Sequence, residues 1–294
     1  MTGAFPRLRE LSIRNCLKLK GQLPQQLVPL KTLQIEHCQQ LEASAPRALN
    51  LLLHDCGKLQ LDWTTMKRLR MEASLVEIVG SDTLEQLEIY SPSISDECVS
   101  LWTFPLDLFP TLRTLNLSGF DNLKIISQGL IHNHLEVLTI SKCHKLESLS
   151  GNMHMLLPFL TRLWIQDCPR LESFPNGSLP SNLEDLTLKN GSRLVGSLKG
   201  ALGDCLSLKK LWIEEVDAEC FPNEGLLPLS LTSLTICYYP NLKKLDYKGL
   251  YQLSSFEKLV VWDCPNLQRL PEEGLPKSIS QFEIFTCPFA ETAL

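Results

Sequence analysis

The sequence lacks the long apolar segments of a membrane protein. None of its uninterrupted apolar runs approaches the roughly 20 residues that a transmembrane helix needs. The opening segment, MTGAFPRLRELS, contains two arginines and no apolar core of a secretory signal. We therefore expect a soluble chain that is not secreted. The chain has 294 residues, 44% of them hydrophobic, which excludes disorder and supplies enough apolar material for a sizeable core.

An excess of positive charge is also missing. The chain has 28 Lys and Arg residues against 33 Asp and Glu residues, which gives a formal net charge of -5. Proteins that bind nucleic acids neutralise phosphates with Lys and Arg and carry basic surfaces. The charge balance therefore argues against nucleic acid as the partner.

Motifs of common catalytic chemistries are absent. The sequence has no phosphate loop GxxxxGK[ST], no dinucleotide motif GxGxxG, no nucleophile elbow GxSxG and no HExxH. Adjacent carboxylates such as Glu214 and Glu215 point to opposite sides of a strand, so they do not flank one substrate. We interpret His132 and His134 as solvated loop residues rather than metal ligands. We expect no enzymatic activity, and neither a metal nor a cofactor bound by this chain.

Paired cysteines are missing as well. The eleven Cys residues are odd in number and include no C-x-x-C pair, so neither a zinc site nor a small disulfide framework is indicated. A reducing compartment fits this pattern best. Seven of the cysteines occupy the same place in a recurring phrase: Cys16, Cys38, Cys56, Cys143, Cys168, Cys264 and Cys287.

That phrase is L-x-x-L-x-[IL]-x-x-C, and it can be laid on the chain about thirteen times. Clear copies include LRELSIRNC from Leu8, LKTLQIEHC from Leu30 and LTRLWIQDC from Leu160. Self-similarity at a short period is typical of a leucine-rich-repeat solenoid. We therefore predict an α/β fold of horseshoe shape, in which short strands form a parallel sheet on the concave side.

The residue types fit the geometry of such a coil. Leu163 and Ile165 lie two apart and point to one side of a strand, whereas Trp164 between them points to the other side. The leucines are buried against the next coil, and the variable positions are displayed on the concave face. The cysteine follows where the chain turns inward, and its thiol is placed to donate to backbone carbonyls of the turn.

The spacing of the repeats predicts the return segments on the convex side. From Leu112 a shorter and a longer repeat alternate, so two-repeat units of about 48 residues run through 112–290. Pro180, Pro228 and Pro276 mark extended returns at the same interval, and the returns between them suit short helical turns. We therefore expect a coil-rich convex side within a single domain over 1–294. Its first part, 1–111, is irregular and has an insertion near 91–110 that we interpret as a bulge or a protruding loop.

Large aromatic residues concentrate on the later part of the concave face. Exposed aromatic side chains at a groove are the usual anchors of protein interfaces. The alternative is that these rings merely cover neighbouring strands. On the first interpretation, the candidate protein-binding residues are Trp164, Trp212, Trp262, Tyr238 and Phe285.

Basic residues are more frequent on the first four repeats than on the later ones. They either form a solvated mixed face with their acidic neighbours or dock an acidic neighbouring domain within the same protein. The candidates for such intramolecular docking are Arg9, Arg14, Lys31, Lys67, Arg68 and Arg70.

The extended phrase L-x-x-L-x-I-x-x-C-x-x-L, together with LESFPNGSLPSNLEDLTL and LQRLPEEGLPKSI, resembles the recognition region of plant intracellular nucleotide-binding leucine-rich-repeat immune receptors of the coiled-coil class. The resemblance covers nearly the whole chain. It implies that this region senses a pathogen effector or an altered host protein. It also implies packing against the receptor's nucleotide-binding domain in the resting state, and a cytoplasmic location that extends to the nucleus or the plasma-membrane surface in a full-length receptor.

The 294 residues contain neither the coiled coil nor the nucleotide-binding domain of those receptors, so ADP or ATP binding would belong to a domain outside this chain. Neither end has the pattern of a capped solenoid, and we expect a fragment or a truncated relative. One alternative function is the substrate-binding solenoid of an F-box ubiquitin-ligase adaptor, although no F-box-like segment precedes Leu8. A second alternative, the ectodomain of a receptor-like protein, predicts a signal peptide and capping cysteine pairs, and neither pattern occurs in this sequence. A third alternative is that the chain is a truncated decoy paralogue of such a receptor.

Overall fold

The computed structural model of the chain describes residues 5, 7–23, 30–44, 48–56, 59–60, 63–72, 78–91, 101–149, 152–174, 179–202, 205–270 and 274–288. Its main element is one parallel sheet in which each strand pairs with the strands before and after it along the solenoid. Numbered in chain order together with the short strands given below, its thirteen strands are β1 (Glu10–Arg14), β3 (Leu30–Cys38), β5 (Ala48–Cys56), β7 (Arg68–Glu72), β8 (Gln86–Tyr90), β10 (Thr114–Ser118), β12 (Val137–Ser141), β13 (Arg162–Gln166), β14 (Asp185–Lys189), β15 (Lys210–Glu214), β17 (Ser233–Cys237), β19 (Lys258–Trp262) and β20 (Gln281–Phe285).

The strands pair in register with the repeat phrase, and this register builds the core. Leu163 of β13 is the pairing partner of Leu138 in β12 and of Leu186 in β14, and each of the three is at most 2% exposed. Equivalent leucines of successive repeats therefore stack in a continuous buried row, while the residues between them face the other side of the sheet. The predicted leucine-rich-repeat solenoid, with its parallel sheet, is confirmed.

Most strands of the main sheet end in a turn whose left-handed backbone the sequence analysis did not identify. The residue before the cysteine position adopts a left-handed conformation, and its N–H donates to the carbonyl of the next strand, as from Asp167 to Lys189 at 3.2 Å. Asn and Asp adopt this conformation more readily than other residues that have a Cβ. Ten non-glycine residues with φ between 46° and 57° hold this position: Asn15, His37, Asp55, Lys142, Asp167, Asn190, Glu215, Tyr238, Asp263 and Thr286.

The cysteine that follows this turn packs as expected. The thiols of Cys143, Cys168 and Cys264 donate to the carbonyls two residues earlier, at Sγ–O distances of 3.4, 3.3 and 3.5 Å. All three side chains are buried, and none of the cysteines in the described part of the chain forms a disulfide. Their role in the repeat is therefore structural.

The convex side carries only brief regular elements, as predicted. Its helices are α1 (Met153–Leu156), α2 (Ser192–Gly196), α3 (Leu198–Ala201) and α4 (Tyr247–Tyr251), with one 3-10 turn at Leu106–Leu108. Its short strands are β2 (Gly21–Gln22), β4 (Leu41–Ser44), β6 (Leu59–Gln60), β9 (Thr103–Pro105), β11 (Ile125–Ser127), β16 (Cys220–Phe221) and β18 (Lys244–Leu245). The α-helices lie in every second return, between the proline-marked ones. Over the described ranges, no helix has the length and apolar character needed to cross a bilayer.

The insertion expected near 91–110 is not a protruding loop over the residues that the structure describes. Residues 92–100 lie outside the described ranges. From residue 101 the chain packs as an ordinary return, in which β9 pairs with β11 and the side chains of Phe104, Leu106 and Phe109 are fully buried. The apolar residues of this segment fill the core, and that expectation is corrected for 101–110.

His132 is buried rather than solvated, which corrects another expectation. It is 4% exposed, and its Nε2–H donates to the carbonyl of Phe109 at 2.8 Å while its Nδ1 accepts from the N–H of Leu135 at 3.1 Å. Because the two partners are an acceptor and a donor, the ring fits its site in the neutral form. Burial lowers the pKa of His132 below its usual 6.5.

Candidate recognition surface on the concave face

We define the concave face by the residues of each main-sheet strand that alternate with the buried leucines and point away from the core; in a five-residue strand these are the first, third and fifth. In β13 these are Arg162, Trp164 and Gln166. The structure places all five sequence-predicted aromatic residues on this face or on the turn beside it. Their side chains are exposed by 37% to 51%, so a partner has access to every ring: Trp164, Trp212, Tyr238, Trp262 and Phe285.

Trp164 and Trp212 lie two strands apart and share one lysine. The ammonium of Lys189, on the strand between them, is 5.2 Å from the ring centroid of Trp164 and 5.4 Å from that of Trp212. Glu214 completes the cluster, because its carboxylate contacts Lys189 Nζ at 2.6 Å and accepts from Trp212 Nε1 at 3.1 Å. The Lys189 and Glu214 side chains are only 19% and 15% exposed, so this cation–π and ion-pair arrangement is well shielded from water.

A slot lies between these two indoles. Its floor is Thr187, the register partner of both tryptophans, whose side chain is buried. Three charged residues on the strand ends, Arg162, Asp185 and Lys210, line the same depression, whose volume is about 390 Å³. Burial raises the pKa of Asp185, although Lys210 and Arg162 act in the opposite direction.

The other three aromatic residues form a second group nearer the end of the sheet. The rings of Tyr238 and Trp262 are 6.0 Å apart, and Phe285 is the register partner of Trp262 on the neighbouring strand. Cys237, the register partner of Trp262 on its other side, is fully buried, and burial raises its pKa to about 12. This thiol is therefore protonated and unreactive at neutral pH.

The first half of the concave face is polar, and it contains a network that the sequence analysis missed. His54 Nδ1 lies 2.5 Å from the Tyr90 hydroxyl and 3.7 Å from Glu72 Oε2. The His37 ring contacts that of His54 edge to face at 4.8 Å, and His37 also bonds Asp55 at 3.0 Å. Burial raises the pKa of Tyr90 to about 12. The sequence signal was weak because these residues come from different repeats and follow no common period.

The basic residues of the early repeats are divided between paired and unpaired positions. Arg14 pairs with Glu36 at 3.5 Å, Lys67 with Glu85 at 2.7 Å and Arg70 with Glu88 at 3.5 Å. The bond from Lys67 is the largest cause of a lowered pKa at Glu85. In the described part of the chain, Arg9, Lys31 and Arg68 have no carboxylate within ion-pair distance. The surface is thus mixed in charge, and these three cations are available to another partner.

The repeat phrase, the in-register parallel sheet and the brief convex helices define a leucine-rich-repeat protein. The chain is similar, at 30% identity over 99% of its length, to a putative disease resistance protein of Arabidopsis thaliana, of which it covers 20%. It is also 30% identical over 62% of its length to the disease resistance protein RPS6 of Arabidopsis thaliana, of which it covers 17%. The chain thus spans about a fifth of the length of the curated relatives it matches. It is a leucine-rich-repeat protein similar to plant disease resistance proteins.

Comparisons with solved structures found more distant likenesses. A chain from the TLR13–ssRNA13 complex matches 96% of this chain and 55% of its own length, with a TM-score of 0.41 and 14% identity. A leucine-rich-repeat protein from Eubacterium ventriosum matches 90% of this chain and 85% of its own length, with a TM-score of 0.25 and 10% identity. No protein-family model matches the chain. The strand register described above defines the fold.

Proposed function

We propose that the chain is the protein-recognition domain of a plant immune receptor. In this role its concave face binds a pathogen effector or a modified host protein during the defence response. The observation that carries the proposal is the set of five exposed aromatic side chains on the concave face of a parallel sheet and on the turn beside it. Aromatic residues on a rigid scaffold are the usual anchors of protein interfaces. The similarity to disease resistance proteins supports the plant defence setting.

We also propose that the chain docks onto a neighbouring domain in the resting state of a larger receptor. Arg9, Lys31 and Arg68, which have no ion pair among the described residues, suit docking onto an acidic neighbouring domain. Such a contact contributes to autoinhibition when it favours the resting state. The chain itself acts without catalysis and without a cofactor of its own, and it works in the cytoplasm as part of a coiled-coil-class receptor. Free, structural cysteines are consistent with that reducing compartment.

The experiment is a binding measurement on one partner, identified in a two-hybrid screen of pathogen-secreted and host proteins. The affinity of that partner is measured by calorimetry for the native protein and for the triple variant W164A, W212A and W262A. We expect the triple variant to lose at least about tenfold in affinity, because anchor residues each contribute on the order of 1–2 kcal/mol.

The matched control removes three large exposed side chains that lie away from the concave face, in the variant L206A, L229A and Y251A. Its affinity should stay close to that of the native protein. If the tryptophan variant instead retains affinity to within about 1 kcal/mol, the concave aromatic residues do not anchor the partner and the proposal is wrong.

A further inference from the structure

We infer that the slot between Trp164 and Trp212 binds an extended partner segment that inserts an apolar side chain between the indoles and presents a carboxylate to Arg162 and Lys210. This inference deepens the proposed function and rests on it, because it names the chemistry of the partner at one part of the concave face.

The slot has room for a partner side chain between the strands that carry the two indoles. Trp164 and Trp212 are separated by a single intervening strand, so their backbones are about 9.6 Å apart. The residue between them is Thr187, whose small side chain is buried, and the depression above it, beside Lys189 and toward Arg162 and Lys210, is open. An aliphatic or aromatic side chain placed there contacts both indoles at once.

The walls of the slot are held in place before any partner arrives. Lys189 contacts both rings, and Glu214 holds Lys189 and the indole N–H of Trp212. A site whose side chains are already ordered loses less conformational entropy on binding, which favours affinity. Lys189 and Glu214 therefore act as positioning residues for the two tryptophans.

The charged residues at the rim determine which sign of charge the slot favours in a partner. Over the described residues, neither Arg162 nor Lys210 has a carboxylate within ion-pair distance, whereas Lys258, the next cation at the same place in the repeat series, pairs with Glu283 at 3.0 Å. Asp185 lies between Arg162 and Lys210 and is half-buried. Two cations face one carboxylate, so a partner carboxylate is attracted to this rim and a partner cation is repelled.

Both indoles already have a cation close to them. The ammonium of Lys189 lies near the centroids of both indoles, so a partner cation would compete with it for these rings. The arrangement thus favours a segment in which an acidic residue neighbours an aromatic or aliphatic one.

The test uses two dipeptide probes, N-acetyl-Asp-Phe-amide and N-acetyl-Lys-Phe-amide, titrated into the full chain labelled with ¹⁵N. The indole N–H signals report on the tryptophans individually once single Trp-to-Phe variants have assigned them. We expect the Asp-Phe probe to shift the signals of Trp164 and Trp212, with a Kd about fivefold or more below that of the Lys-Phe probe.

Variants that remove the two cations of the rim test the charge preference directly. In R162Q with K210Q the preference for the acidic probe should fall below about twofold, whereas the matched control K258Q should keep it. Equal or stronger binding of the Lys-Phe probe overturns the inference. So does a response confined to Trp262, or no shift at Trp164 and Trp212 up to about 20 mM of either probe.

These outcomes separate the inference from the proposed function. If the dipeptides show no acidic preference while the triple tryptophan variant still loses its protein partner, recognition on the concave face stands and the charge assignment fails. If the acidic probe binds as expected while the triple variant keeps its partner, the slot exists and the recognition proposal fails.

Discussion

Tyr239 occupies the position that cysteine holds in most other repeats, and its hydroxyl is buried without a hydrogen-bond partner among the described residues. A buried, unpaired hydroxyl costs on the order of 1–3 kcal/mol. We therefore expect Y239F to raise the free energy of unfolding by about 1 kcal/mol, measured by urea denaturation. The control is Y238F, whose ring is exposed and which should change stability little. A loss of stability in Y239F would show that the hydroxyl has a partner.

His132 makes stability depend on pH at the residue scale. Its folded-state pKa lies below the ordinary value of 6.5, so the unfolded state binds the proton more readily. This contribution to stability is fully present above pH 6.5 and is lost as the pH falls from 6.5 through the folded-state pKa. We expect H132Q, which keeps one donor and one acceptor, to lose less stability between pH 7 and pH 5 than the native protein. The exposed His134 provides the control H134Q, and identical profiles for H132Q and the native protein would exclude this role.

The sequence predicted these residue-scale features unevenly. The thiol bonds of the repeat cysteines followed from their fixed place in the phrase, and the structure has them. The contact of Lys189 with two tryptophans was not predicted, because it joins three repeats through side-chain conformations that a linear pattern does not encode. The exposure of Trp164, Trp212, Trp262 and Phe285 followed from strand alternation, whereas Tyr238 lies in a turn, and the binding role of all five stays a prediction.

At the scale of elements, the left-handed turn that follows a strand holds a residue with a side chain in most repeats but a glycine in one. Gly119 adopts φ +76° in this turn, and a Cβ added there would lie 2.5 Å from the carbonyl oxygen of Ser91. We expect G119A to lower the free energy of unfolding by about 2 kcal/mol or more, because backbone atoms must shift to relieve the contact. The measurement is a denaturation midpoint.

The matched control is K142A in the equivalent turn of the next repeat. Lys142 is exposed, and its backbone already accommodates a Cβ at φ 53°. Its replacement should change stability by no more than about 0.5 kcal/mol. Equal losses in G119A and K142A would show that replacement of any residue in this turn is costly and that the contact with Ser91 is not the cause.

Elements were predictable where the repeat period was regular. Helices α1, α2 with α3, and α4 lie in the returns that lack the phased prolines, as expected from proline's missing donor and its preference for extended chain. The segment 101–110 was interpreted as part of a loop because it interrupts the period. Phe104, Leu106 and Phe109 nevertheless fill the core, which shows that burial depends on where apolar side chains fall in space.

At the scale of the whole molecule, every main-sheet strand pairs only with its neighbours in the series. In such a solenoid the effect of a local change fades with distance along the stack. We expect L186A in β14 to create a cavity that costs on the order of 2–5 kcal/mol locally, and to speed amide hydrogen exchange in β13 and β15 more than in β3 or β20. The measurement is hydrogen exchange followed by mass spectrometry.

The corresponding variant L33A, in β3, is the control for this prediction. Leu33 is as fully buried as Leu186. Its replacement should move the region of faster exchange to β1 and β5 and leave β13 and β15 unaffected. A uniform increase over the whole sheet in both variants would contradict nearest-neighbour coupling and indicate one cooperative unit.

The two-repeat unit also bears on how the gene can change. The pair Arg162 and Trp164 recurs one unit later as Lys210 and Trp212. The strand after each tryptophan strand has a threonine at the same register position, Thr187 and then Thr235. A recombination event that duplicates or removes one whole unit keeps this alternation in phase and adds or deletes one slot. An event that duplicates or removes a single repeat places two tryptophan strands, or two threonine strands, side by side. Only gains or losses of whole two-repeat units therefore preserve this binding surface as the gene evolves.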